Sequence, residues 1–108
     1  MAYDELLASR VRDCLREVAG VSEKKMFGGL AFMIEGHLTA GVYGYGLIAR
    51  IGAEAMDAAV AEQGVRPFDM TGRPMRGIIV VAGEALDDRA LERWIGQARG
   101  YVAGLPPK

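Results

Sequence analysis

Between Tyr3 and Val18 the apolar residues Leu7, Val11, Cys14, Leu15 and Val18 recur at three- and four-residue steps. That spacing predicts a helix with one apolar stripe, which Gly20 should stop. Three strand-like runs follow, at Lys25–Glu35, Leu38–Tyr43 and Leu47–Ile51, separated by the short links Glu35-Gly36 and Gly44-Tyr45-Gly46. Short links join antiparallel neighbours, so these runs predict a meander. An alanine-rich segment, Ala53–Gln63, reads as a second helix ended by Gly64. A loop with two prolines, "VRPFDMTGRP", leads to a strand at Met75–Ala82, whose "GIIVVA" is strongly β-favouring. Asp87–Val102 reads as the last helix: Leu91, Trp94, Ile95, Ala98 and Val102 line one side, and Glu84, Asp87 and Asp88 place negative charge at its start. The predicted order is α-β-β-β-α-β-α, with room for one more strand near Phe68. Grouped antiparallel strands with flanking helices define a two-layer α+β domain.

The strands are apolar on both faces. Met26, Leu30, Phe32 and Ile34 alternate with Phe27, Ala31 and Met33, and Ile78 and Val80 alternate with Ile79 and Val81. A sheet covered on one side should alternate apolar with polar residues. Either helices seal both faces or part of the second face meets another chain, a homodimer being the simplest case.

Composition narrows the class. The 108 residues suit a single domain, 1–108, with an ordinary globular balance of 51% hydrophobic and 25% charged residues. The formal net charge of −1 lacks the basic excess that usually accompanies phosphate-backbone binding. The single cysteine, Cys14, excludes an internal disulfide and suits a reducing compartment. The acidic opening "MAYDELLASR" has no signal-peptide pattern, and no apolar run approaches the roughly 18 residues of a membrane span. The expectation is a cytoplasmic protein.

Two stretches invite a chemical reading. In "KKMFGGLAFMIEGH" the pair Gly28-Gly29 is followed by strand and not by helix, unlike a phosphate loop or a dinucleotide fingerprint. Glycines inside a strand mark a bulge or a close backbone approach, and that reading is preferred, with Lys24 and Lys25 kept as a candidate anion contact. In "MTGRPMRG" the cations Arg73 and Arg76 are a second candidate contact for a carboxylate or phosphate, against the plainer reading of solvated side chains around a turn. Arg50 either faces solvent or pairs across the sheet with a carboxylate such as Glu35. The sole histidine, His37, and the distant Cys14 offer no metal set and only a remote nucleophile pair. Neither Ser9 nor Ser22, the only serines, lies in a nucleophile elbow. Glu54 and Asp57 read as a solvated helix face, and Met26, Met33 and Met75 as core. No catalytic residue, metal or cofactor is expected.

"KKMFGGLAFMIEG" and "TGRPMRGIIVV", with "VSEKKMFGG", the "DDRALERWIGQA" helix and the "LPPK" ending, resemble the TfoX N-terminal domain family over nearly the whole chain. The resemblance implies a compact α+β domain similar to the secretion-chaperone-like fold, and it carries no catalytic residues. The family's named members, the TfoX or Sxy proteins, are regulators of natural competence with a second, helical domain, for which a chain ending at Lys108 leaves no room. Three functions follow as expectations. They are a non-enzymatic regulatory domain working through protein contacts or a homodimer, a nucleic-acid-associated competence or transcription regulator, and a small anionic-ligand or enzymatic domain.

Overall fold

The computed structural model describes residues 3–26, 28–69 and 74–106, without the side chain of Pro74. Helix α1 spans Glu5–Cys14. Strands β1 (Val21–Met26), β2 (Gly29–Ile34), β3 (His37–Tyr43) and β4 (Gly46–Arg50) follow. After a 3₁₀ turn at Ala53–Ala55 come the short helix α2 (Met56–Val60), strands β5 (Val65–Asp69) and β6 (Pro74–Val81), and helix α3 (Asp88–Ala103). The strands form one antiparallel sheet in the order β1-β2-β3-β4-β6-β5. The α+β class and the order of elements follow the pattern in the sequence, including the extra strand at Phe68.

Boundaries differ where local chemistry competes with hydrophobic periodicity. The run Lys25–Glu35 is not one strand: Met26 pairs with Gly29, and Gly28 turns the chain between them with φ +77°. The first helix ends at Cys14, with Leu15 as its C-cap, and the chain then turns at Gly20, φ +80°. The alanine-rich segment holds only five residues of α-helix behind the 3₁₀ turn. Helix starts are set by capping carboxylates. Asp4 accepts from the backbone N–H of Leu6 (3.0 Å) and Leu7 (3.3 Å), and Asp87 accepts from that of Ala90 (2.8 Å).

All three helices lie on one face. Leu7 and Val11 of α1, Ala59 of α2, and Leu91, Trp94, Ile95 and Ala98 of α3 pack on Leu30, Phe32, Val42, Leu47, Ile79 and Val81 of the sheet. The second face carries a separate cluster of strand residues, Ile48, Phe68, Ile78 and Val80, which Leu38 and Tyr43 flank. Phe68 stands at a register shift in β5, between Pro67 and Asp69, and meets Tyr43 edge-on with ring centroids 5.5 Å apart. The doubly apolar strands thus have a helix layer on one side and their own side chains on the other. Both sheet edges are blunted. β1 exposes Glu23, Lys24 and Lys25, while β5 exposes Arg66 and Pro67, and proline has no N–H to offer another strand.

One ion pair ties a helix to an edge strand. Arg12 of α1 donates to both carboxylate oxygens of Glu23, at 2.7 and 2.9 Å. The hydrogen bond from Arg12 holds the Glu23 carboxyl below the usual carboxylate range. A carboxylate with a lowered folded-state pKa stabilises the fold above its unfolded pKa, and that contribution is lost as pH falls through the lowered value. The pair is half exposed, so its worth is about 0.5–1 kcal/mol. Glu23→Gln is therefore expected to lower stability by that amount at neutral pH and by almost nothing once acid has protonated Glu23. Urea unfolding at both pH values tests this, and an equal loss at both would refute it.

Candidate functional site

The sheet register separates the cations singled out in the sequence. Glu23 reaches Arg12 on the helix side of β1, and successive strand residues alternate in direction. Lys25 therefore shares the helix-side face with Glu23, and Lys24 points to the other. Along the sheet, Lys24 lies in register with Ala31, Gly41, Ile48 and Val80. β6 stands four strand spacings from β1, roughly 19 Å, and Arg76 lies about 13 Å further along β6 from Val80. Lys24, Lys25 and Arg76 thus form no common patch. Arg73 lies outside the described residues.

The glycine pair also acquires a different meaning. A Cβ built on Gly28 would meet nothing within 4 Å, so close packing does not select glycine there. Its positive φ does, because a side chain is strained in that conformation. Gly29 is buried in the β1–β2 ladder opposite Met26. The close backbone approach expected at Gly28-Gly29 occurs at Gly52 and Gly77. There the Gly77 carbonyl accepts from Ile51 N–H (2.8 Å) and Gly52 N–H (3.1 Å), and a Cβ on Gly77 would lie 3.1 Å from the Gly52 carbonyl carbon.

Neither half of the Cys14–His37 pair is poised for nucleophilic chemistry. Burial pushes the Cys14 thiol up, and Glu92 adds to the shift, so the thiol stays protonated. His37 is only 8% exposed, and its Nε2–H donates to the Pro106 carbonyl at 2.7 Å. Arg50 does not pair with Glu35: it reaches the Leu38 carbonyl at 3.4 Å and stands over the Tyr101 ring, 5.7 Å from its centroid. Among the described residues no group of three His, Cys, Asp or Glu side chains converges to hold a metal ion, and no helix is long and apolar enough to cross a membrane.

A concavity lies elsewhere. A groove of about 670 Å³ runs between the last two turns of α3 and the β2–β3 turn. Its walls are Val18 from the α1–β1 connection, Ile34 and His37 from the sheet, and Leu105 from the segment after α3. Gly96 and Gly100 open the helix side, since a Cβ at either would meet nothing within 4 Å. Arg99 and Glu35 supply its charges. The size and apolar character are those of small-molecule sites. The motif reading of the sequence passed over this groove, although "IGQARG" offered a signal. Two glycines four residues apart inside an otherwise good helix each cost about 1 kcal/mol relative to alanine, and no turn requires them.

A helix layer on one face of a six-stranded antiparallel sheet, with a meander leading into a β5–β6 hairpin, defines an α+β domain whose concavities lie at the sheet ends and beside α3. The family model for the TfoX N-terminal domain matches residues 13–100, over four-fifths of the chain, and the protein belongs to that family. Comparison with curated proteins and with solved structures returns no match.

Proposed function

We propose that this chain is a non-catalytic regulatory domain that works through protein contacts, with a second copy of itself as the first partner to test. The observation that carries this reading is the distribution of exposed apolar side chains. Leu6 is 73% exposed, Tyr45 80% and Met26 36%. These three stand at one end of the sheet; Met75, 40% exposed near the start of β6, lies at the other end, so neither Met26 nor Met75 is the core residue that the sequence suggested. The Asp4 N–H donates to the Gly44 carbonyl at 2.8 Å, which sets the first turn of α1 beside the β3–β4 turn that carries Tyr45. Met26 opens the β1–β2 turn, and its partner Gly29 directly precedes Leu30, which pairs with Val42. Large exposed apolar side chains gathered at one end of a domain are a common feature of protein-binding surfaces. The blunted edges of β1 and β5 argue against association by strand addition, so this loop end is the better candidate.

The protonated Cys14 thiol and the inward-turned His37 support the non-catalytic part of the reading. A cytoplasmic location fits the lone cysteine. A nucleic-acid role in competence or transcription finds less support, because Lys24, Lys25 and Arg76 lie far apart or on opposite faces. Sedimentation equilibrium over a wide concentration range tests the reading. A reversible dimer is expected, weakened at least tenfold by Leu6→Glu together with Tyr45→Glu, two exposed sites where folding should be unaffected. A monomer at every concentration, or a dimer indifferent to both changes, would sink self-association through this surface.

A further inference from the structure

We propose that the groove beside α3 is a binding site for a small amphipathic carboxylate, with Arg99 holding the anionic group and the apolar walls holding the body of the ligand. Three observations carry this. First, the groove is bounded on three sides, by α3, by the β2–β3 turn and by Leu105, and a bounded hollow of about 670 Å³ suits a small molecule better than a flat protein partner or a helix. Second, the wall formed by the segment after α3 is fixed. His37, itself buried, donates from Nε2–H to the Pro106 carbonyl at 2.7 Å, so the hollow exists before any ligand arrives. A preformed wall removes an ordering cost from binding.

The third observation is charge. Of the other arginines in the three helices, Arg10 pairs with Asp88, Arg12 with Glu23, and Arg93 with Glu62 and the face of Trp94, while Arg89 makes no ion pair among the described residues but does not line this groove. Arg99 makes no ion pair among the described residues and stands on the rim. Glu35, the other charged residue lining the groove, has its carboxylate against the backbone of Gly20. A guanidinium above an apolar hollow recognises a carboxylate by paired, charge-assisted hydrogen bonds. The open positions of Gly96 and Gly100 let the ligand body lie against the helix backbone.

The test is a titration of the isotopically labelled protein with decanoate below its micelle concentration, read by backbone amide NMR. Decanol and decanoyl-glycine serve as comparison probes. Saturable shifts are expected at Gly96, Gly100, Val102 and Leu105, with decanoate bound at least fivefold more tightly than decanol. Arg99→Gln should weaken decanoate about tenfold and leave decanol unchanged. Gly100→Leu, which fills the hollow at a helical position with open space, should abolish both while the spectrum stays folded. Decanoyl-glycine, with its carboxylate one residue further out, should retain the preference for arginine at position 99. Absence of saturable shifts, shifts that map to the loop end carrying Leu6 and Tyr45, or equal binding of decanol and decanoate would each overturn the assignment. The dimer surface can fail without affecting this outcome, since the two sites share no residue.

Discussion

Replacement of Gly52 by alanine is expected to lower stability by about 3 kcal/mol, the combined order of backbone strain and overpacking. Gly52 has φ +90° and ψ +154°, a region that residues with a Cβ almost never occupy. A Cβ there would also fall 2.5 Å from Cε1 of Tyr101. The strain cannot be relieved by rotating the backbone. The Gly52 N–H is held by the Gly77 carbonyl, and Gly77, with φ +86°, leaves no room for a Cβ beside the Gly52 carbonyl carbon. Gly96→Ala provides the control. Position 96 is helical with open space around it, so the same change should be neutral or stabilising by up to about 1 kcal/mol. Urea unfolding midpoints measure both. Equal and small effects would mean that the Gly52–Gly77 contact does not constrain the fold. Combining Gly52→Ala with Tyr101→Ala should cost less than the sum of the two, because the clash between them is then absent.

Phe68→Ala is expected to cost about 3–5 kcal/mol, as for a large aromatic removed from a packed core. The residue is 2% exposed and is the largest member of the strand-only cluster on the second face. Its loss would leave Ile48 and Val80 facing a cavity, and would remove the edge-on ring contact with Tyr43. Thermal unfolding of the variant at two protein concentrations separates the roles of chain and partner. The same loss at both concentrations is expected, since the cluster is complete within one chain. A loss below about 1 kcal/mol, smaller than a core aromatic allows, would show that this face does not act as a second core.

These two predictions mark where the sequence was readable. Periodicity located the helices because a buried stripe needs spacing of three and four residues. The stripe of α3, Leu91, Trp94, Ile95, Ala98 and Val102, is buried in full. The doubly apolar strands likewise marked burial on both faces, but the alternative in which helices seal both is not met: all three helices share one face, and strand side chains pack on one another on the second. Alternation records that a side chain is buried and not which element buries it. Glycines were the least transparent signal. At Gly28 the residue serves a positive φ in a turn, at Gly52 and Gly77 it serves both φ and close approach, and at Gly96 and Gly100 it serves neither. A letter with no side chain cannot distinguish these cases, since the distinction lies in the surroundings.

The candidate contacts show the same division. Lys24 and Lys25 are adjacent in the chain and divided by the pleat of β1, and Arg76 is set apart by the order of strands. Conversely, Val18, His37, Arg99 and Leu105 are scattered along the chain and share one hollow. Local pattern was enough for the α+β class, the order of the elements, the acidic start of α3 and the family. The folded structure settled which carboxylates cap a helix. Long-range packing set that the helices gather on one face, which glycines touch a neighbour, and where a hollow remains. Local propensity and periodicity act over a few residues, whereas those outcomes depend on pairings between residues distant in the chain.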